Sequence, residues 1–169
     1  MHNQGSAGRF YEDFVVGDVY RHAVGKTITE TDNELITMIT LNTQQLHFNS
    51  VYARHSEFGK ILVNSTLTLA LVTGLTVSDV SRNVVANLGW DEVRLPNPVF
   101  VGDTLWAETL VLSKRESRSR PDAGLVTVKT RGLNQDGKEC ISFKRTILVH
   151  RRSAASELDI FPEPETPIE

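Results

Sequence analysis

A lone cysteine, Cys140, in a chain of 169 residues leaves no internal disulfide to hold a fold together. Cys/His pairs at ligand spacing are missing too, so no metal site is expected. An excess of one charge is also lacking: 18 Lys and Arg against 21 Asp and Glu leave a net charge of −3, which gives no electrostatic footprint for nucleic acid or for an anionic membrane. No apolar run is long enough to span a bilayer, since the run at Leu67 is interrupted by Thr and Gly. The first residues lack the charged and apolar regions of a signal peptide. The expectation is a cytoplasmic protein with neither a nucleic-acid nor a membrane partner.

What is present is an ordinary globular balance, 40% hydrophobic and 23% charged residues, in one unit without internal repeats and long enough to bury a core. The chain is organised around Leu46 to Leu75. Leu67, Leu69, Ala70, Leu71, Val72 and Leu75 are apolar on every side of a helix, which predicts a central helix wrapped by other elements. Asn64 and Ser65 are good N-cap residues, and a helix start presents unpaired N–H groups and a positive dipole end to any developing negative charge. His47 lies shortly upstream. A helix start that stabilises an oxyanion, with an acid–base side chain delivered by the preceding segment, is a catalytic arrangement.

Residues 1–8 are small and polar and are expected to be disordered; 9–152 form the domain; 153–169 are an acidic, proline-containing tail. Gly17-Asp18 is a turn leading into a strand from Val19 to Thr27. Thr29 and Asp32 approximate a capping box, and Leu35, Ile36 and Ile39 recur at helical spacing, predicting a helix over Glu30 to Leu41. Ser50 caps a short helix ending near Gly59. Beyond the central helix the period changes to two: Asn83 to Trp90 and Asp91 to Leu95 are β-rich, strands are predicted over Thr104 to Leu112 and Gly124 to Arg131, and in a last strand Ile141, Phe143, Ile147 and Val149 share a face that Arg145 interrupts. Pro96-Asn97-Pro98 marks a crossing or an edge. The fold class is α+β, an antiparallel sheet wrapped around one buried helix.

The segments LHFNSVYARHSEFGKILVNS and VRLPNPVFVGDTL, with this element order, resemble the MaoC-like enoyl-CoA hydratases of hotdog fold. That family's motif reads Asp, one residue, Asn-Pro, one residue, His, followed by a short helix, a Phe-Gly turn and a glycine opening the central helix. Its frame falls here on Asn42 to His47, Phe58-Gly59, and Ser65 in the glycine's place. The resemblance implies hydration of an enoyl-CoA thioester, with His47 as acid and base, Asn42 as the residue that positions water, and the backbone N–H at Ser65 as oxyanion donor. Asn42 cannot accept a proton as the family's Asp does; Asp32 and Glu57 are the nearest other carboxylates.

The further segments NLGWDEVRLPNPVFVGDTL and SRSRPDAGLVTVKTRGLNQDG are similar to the itaconyl-CoA and mesaconyl-CoA hydratases. Their dicarboxylic substrates call for an arginine, and Asn64, Arg94, Arg118 and Arg120 are the candidate substrate-binding residues. No cofactor is implied beyond the coenzyme A of the substrate, and the resemblance implies a homodimer built edge to edge. Two other readings stand beside the hydratase. One is a hotdog thioesterase, which needs a carboxylate near the helix start; the other is a binding protein whose site has decayed at Asn42. The remaining histidines, His2, His22, His55 and His150, read as structural.

Overall fold

Alternating apolar and polar residues over the second half of the chain give four long strands, and their turns carry the residues that turns require. In a computed structural model, residues 8–154 and residues 162, 165 and 166 are described. Most of the two expected tails, and His2 with them, lies outside the described residues. The elements in order are β1 (Val19–Arg21), β2 (Lys26–Thr27), α1 (Glu30–Ile39), α2 (Ser50–Arg54), α3 (Ser65–Leu75), β3 (Val84–Arg94), β4 (Thr104–Glu116), β5 (Ala123–Leu133) and β6 (Glu139–His150).

The strands form one antiparallel sheet in the order β1-β4-β5-β6-β3, with β2 also on β4. The single strand expected over Val19 to Thr27 is therefore two short ones, both laid along β4. Gly102, at φ +95°, turns the chain into β4 in a conformation that favours glycine. Helix α3 starts at the helix boundary read from sequence, with Asn64 as its cap. Helix α2 is shorter than expected and is capped by Asn49 instead of Ser50.

On the inner face of the sheet, Leu105, Ile141 and Phe143 pack with Val63, Val72 and Val99. At the other end Val111, Val126, Val128, Ile147 and Val149 pack with Tyr11, Phe14 and Val80. Between the two apolar clusters runs a buried polar row. His22 hydrogen-bonds through its ring nitrogens to Asp79 and to Thr109 at 2.9 Å each, and Thr109 to Thr130 at 2.9 Å. Arg145, the residue that breaks the apolar alternation of β6, stays inside this row. It is 2% exposed and hydrogen-bonds to the Thr76 hydroxyl at 3.0 Å, and burial pulls its guanidinium down to about 10.

One expectation is corrected by burial. Helix α3 is not wrapped on all sides: Thr68 and Val72 are buried, whereas Ala70 and Gly74 on the far side are exposed. Helix α1 turns a polar face inward. Of its apolar repeat Leu35 and Ile39 are exposed and Ile36 is half-buried, Met38 is exposed too, and the side chains it buries are Asn33 and Thr37, both 0% exposed.

Candidate active site

Helix α1 starts firmly because Thr29 and Asp32 form the capping box read from sequence: the Thr29 hydroxyl accepts from the Asp32 N–H at 3.1 Å and Asp32 accepts from the Thr29 N–H at 2.8 Å. The helix stops at Leu41, which takes φ +56° and turns the chain sharply. Asn42 follows. Its backbone N–H donates to Thr37 at 3.0 Å, and its side-chain oxygen accepts from the Gln44 N–H at 3.3 Å, an Asx turn that steers the chain into the helical turn Gln45–His47.

His47 closes that turn. Its Nδ1 lies 2.9 Å from the Leu62 carbonyl oxygen. A carbonyl only accepts, so the neutral imidazole carries its proton on Nδ1 and presents the lone pair on Nε2. Nε2 has no partner among the described residues, and the ring is half-buried. The Leu62 N–H in turn donates to Leu46 at 3.2 Å, and the Val63 N–H to Val99 at 2.8 Å, which lays the segment before α3 against both the histidine turn and the sheet.

Three residues after Leu62, α3 begins. Asn64 is fully buried. Its side-chain oxygen accepts from the Thr66 N–H at 3.0 Å and from the Thr66 hydroxyl at 2.7 Å, its Nδ2 donates to the Thr37 hydroxyl at 3.3 Å, and its N–H goes to Asn33 at 2.8 Å. Every polar group of Asn64 is thus spent on the helix start, which removes it as a direct substrate ligand. The N–H groups of Asn64 and Thr66 are satisfied and that of Ser65 is not, as expected for a first-turn donor. Ser65 is exposed, so this N–H, at the positive end of α3, is the donor open to an incoming carbonyl oxygen.

Asn33 is the residue that sequence reasoning missed. From the buried face of α1 its Nδ2 donates to the His47 carbonyl at 2.8 Å and to the Leu62 carbonyl at 3.3 Å, while its Oδ1 accepts from the Asn64 N–H. The only available signal was an asparagine and a threonine four apart on the helix predicted over Glu30 to Leu41.

The candidate carboxylates do not join the site. Asp32 is held by its cap and by Lys26 at 2.8 Å, and Glu57 is exposed with no hydrogen bond to His47. The arginines separate. Arg94, exposed, ends β3 on the side where Val99 and Phe100 meet Leu62 and Val63. Arg118 and Arg120 lie in the β4–β5 hairpin at the other end of the sheet, with the 13 residues of β4 between, about 40 Å of strand. Arg120 is closed onto Asp122 by two hydrogen bonds of 3.0 and 2.7 Å. Within one chain neither reaches His47. Beside the Leu62–Phe100 bridge opens a groove lined by Lys60, Asn97, Pro98 and Phe100, with the Lys60 ammonium 4.0 Å above the Phe100 ring.

The chain matches known proteins over nearly its whole length. A profile of the mesaconyl-CoA hydratase family covers residues 2–159. The chain belongs to this family. A mesaconyl-CoA hydratase of Cereibacter sphaeroides is 38% identical over 162 residues, 96% of this chain and 46% of the relative. A MaoC domain protein dehydratase from Chloroflexus aurantiacus superposes with a TM-score of 0.84 at 30% identity, over 99% of this chain and 46% of that one. A Mycobacterium tuberculosis protein with a double hotdog fold superposes with a TM-score of 0.80 at 21% identity, over 95% of this chain and 48% of that one. The fold is a hotdog. The chain spans about half the length of the curated relatives it matches. Among the described residues no helix is long and apolar enough to cross a membrane, and no three His, Cys, Asp or Glu side chains are grouped to hold a metal.

Proposed function

We propose that this chain is a hydro-lyase that adds water reversibly across the α,β double bond of a small branched dicarboxylic enoyl-CoA of the mesaconyl-CoA or itaconyl-CoA kind. The observation that carries this reading is His47, fixed as the Nδ1–H tautomer against Leu62 with Nε2 unengaged, and so tied to the segment that leads into α3, whose Ser65 N–H is open. In this scheme the thioester oxygen lies on the Ser65 N–H. Asn42, whose Nδ2 has no partner among the described residues, orients a water.

Nε2 of His47 takes a proton from that water as its oxygen bonds to Cβ. The π electrons move through Cα onto the thioester oxygen, where the Ser65 N–H and the dipole of α3 stabilise the charge. The enolate then collapses and Cα takes the proton back from Nε2. One imidazole thus serves as base and then acid, which puts both additions on the same face of the double bond and needs no carboxylate at Asn42. Arg94, at the site end of the sheet, is the arginine we assign to the second carboxylate, and the groove at Lys60 and Phe100 takes part of the coenzyme A.

The working unit in this proposal is a dimer of edge-paired sheets. Strand β3 is 11 residues long, is paired among the described residues only through β6, and exposes Leu88 and Trp90; α3 leaves Ala70 and Gly74 exposed. In the proposed dimer a second hotdog unit covers both. The thioesterase reading is disfavoured because Asn64, Ser65 and Thr66 offer no carboxylate at the helix start.

The test is a hydration assay on crotonyl-CoA, a longer 2-enoyl-CoA, mesaconyl-CoA and itaconyl-CoA, following loss of enoyl absorbance and gain of 18 mass units. Turnover confined to the dicarboxylic thioesters is expected. Release of free thiol without hydration would establish a thioesterase, and no reaction with any thioester would contradict the proposal.

A further inference from the structure

The geometry points to Asn33 as a positioning residue that sets the tautomer and placement of His47 relative to the oxyanion donor of α3; its catalytic consequence rests on the hydratase reading above. Helix α1 makes an uneconomical choice. It leaves Leu35, Met38 and Ile39 in solvent and buries an asparagine and a threonine completely, the reverse of what apolar burial favours. Stability alone does not select that orientation, since burying a polar group is at best offset by its hydrogen bonds. The inward face of α1 does something else.

All three hydrogen bonds of the Asn33 side chain end on the site. Two go from Nδ2 to the carbonyls of His47 and Leu62, at 2.8 and 3.3 Å, and one comes to Oδ1 from the Asn64 N–H at 2.8 Å. Two acceptors on one side and a donor on the other leave a single orientation for the amide. The Leu62 carbonyl is shared: it also accepts from His47 Nδ1 at 2.9 Å. One side chain therefore holds the backbone of the histidine, the acceptor that fixes the histidine's tautomer, and the residue that caps the oxyanion helix. Moving any of the three would move Nε2 relative to the Ser65 N–H, and displacements of about 1 Å at reacting groups cost on the order of 10²-fold in rate. An isosteric aspartate cannot substitute, because its carboxylate would face two carbonyl oxygens with no proton to donate.

The experiment compares wild type with Asn33→Asp, Asn33→Ala and Thr37→Val, each shown to be folded by thermal unfolding. Thr37→Val removes the other buried polar side chain of α1, which touches Asn64 but not His47, and so controls for a merely structural role. Two quantities are read. The first is the ¹⁵N spectrum of the His47 imidazole, which distinguishes the tautomers without any substrate: wild type and Thr37→Val are expected to show Nδ1–H alone, and the Asn33 variants a mixture with Nε2–H. The second is the steady-state rate, where the Asn33 variants are expected to lose about tenfold or more in kcat with KM changed less than about twofold. A folded Asn33 variant with an unshifted Nδ1–H tautomer overturns the inference, as does a mixed tautomer in Thr37→Val. If wild type hydrates nothing, the hydratase reading fails while the spectrum still decides what Asn33 does to His47.

Discussion

Asp32 shows how a site can be steadied from a distance by one carboxylate. Hydrogen bonds from Lys26 and from the backbone and side chain of Thr29 hold its pKa down to about 2. A carboxylate depressed in the folded state contributes stability that is present above its ordinary pKa and disappears as pH falls through the folded value. Asp32→Ala is therefore expected to lower stability by about 1 kcal/mol at neutral pH, as loss of a helix cap does, and the gap to wild type should close between about pH 4 and pH 2. Chemical denaturation across that range checks it; a gap independent of pH would mean that charge at Asp32 is irrelevant. The capping box was legible because it is written in two residues three apart. Asn33, next in the chain, was not, since nothing in a single sequence tells an asparagine that faces water from one that holds three backbone groups.

At the scale of the element, periodicity gave α1 as a helix and α3 as a buried one only in part. The spacing of Leu35, Ile36 and Ile39 correctly gave the helix; its buried face carries Asn33 and Thr37, because the site and not the core claims that face. Leu35→Gln and Ile39→Ser should change stability by less than about 0.5 kcal/mol, as surface substitutions do. Thr37→Val should cost about 1–3 kcal/mol by leaving the Asn64 amide without its acceptor. Denaturant titrations that reverse this order would mean the apolar stripe of α1 is covered in solution. For α3 the all-round apolar pattern signalled burial on one side only: Thr68 and Val72 are buried, while Ala70 and Gly74 are exposed. In β6, Arg145 broke the alternation and still turned inward, since the neighbouring strands place Thr130 and the helix places Thr76 to make that part of the core polar.

For the whole molecule, element order and turn chemistry carried the architecture, a hotdog with its helix start at one end of the sheet. What one sequence does not encode legibly is which end of the sheet a loop reaches. Arg94, Arg118 and Arg120 looked equivalent as arginines, and topology places Arg94 at the site end and the other two beyond the far end of β4. The proposed dimer sets a second hotdog unit on the edge of β3. Trp90→Lys together with Leu88→Lys is expected to convert a dimer into a monomer in analytical ultracentrifugation, with retained secondary structure; a variant that sediments as wild type would place the interface elsewhere. The account as a whole stands on one imidazole acting beside one helix start. Its most direct test is the rate of mesaconyl-CoA hydration by wild type and by folded His47→Ala. A loss of at least about 10²-fold, the low end for a positioned acid–base group, is the predicted result, and turnover near that of wild type would contradict the mechanism at its centre.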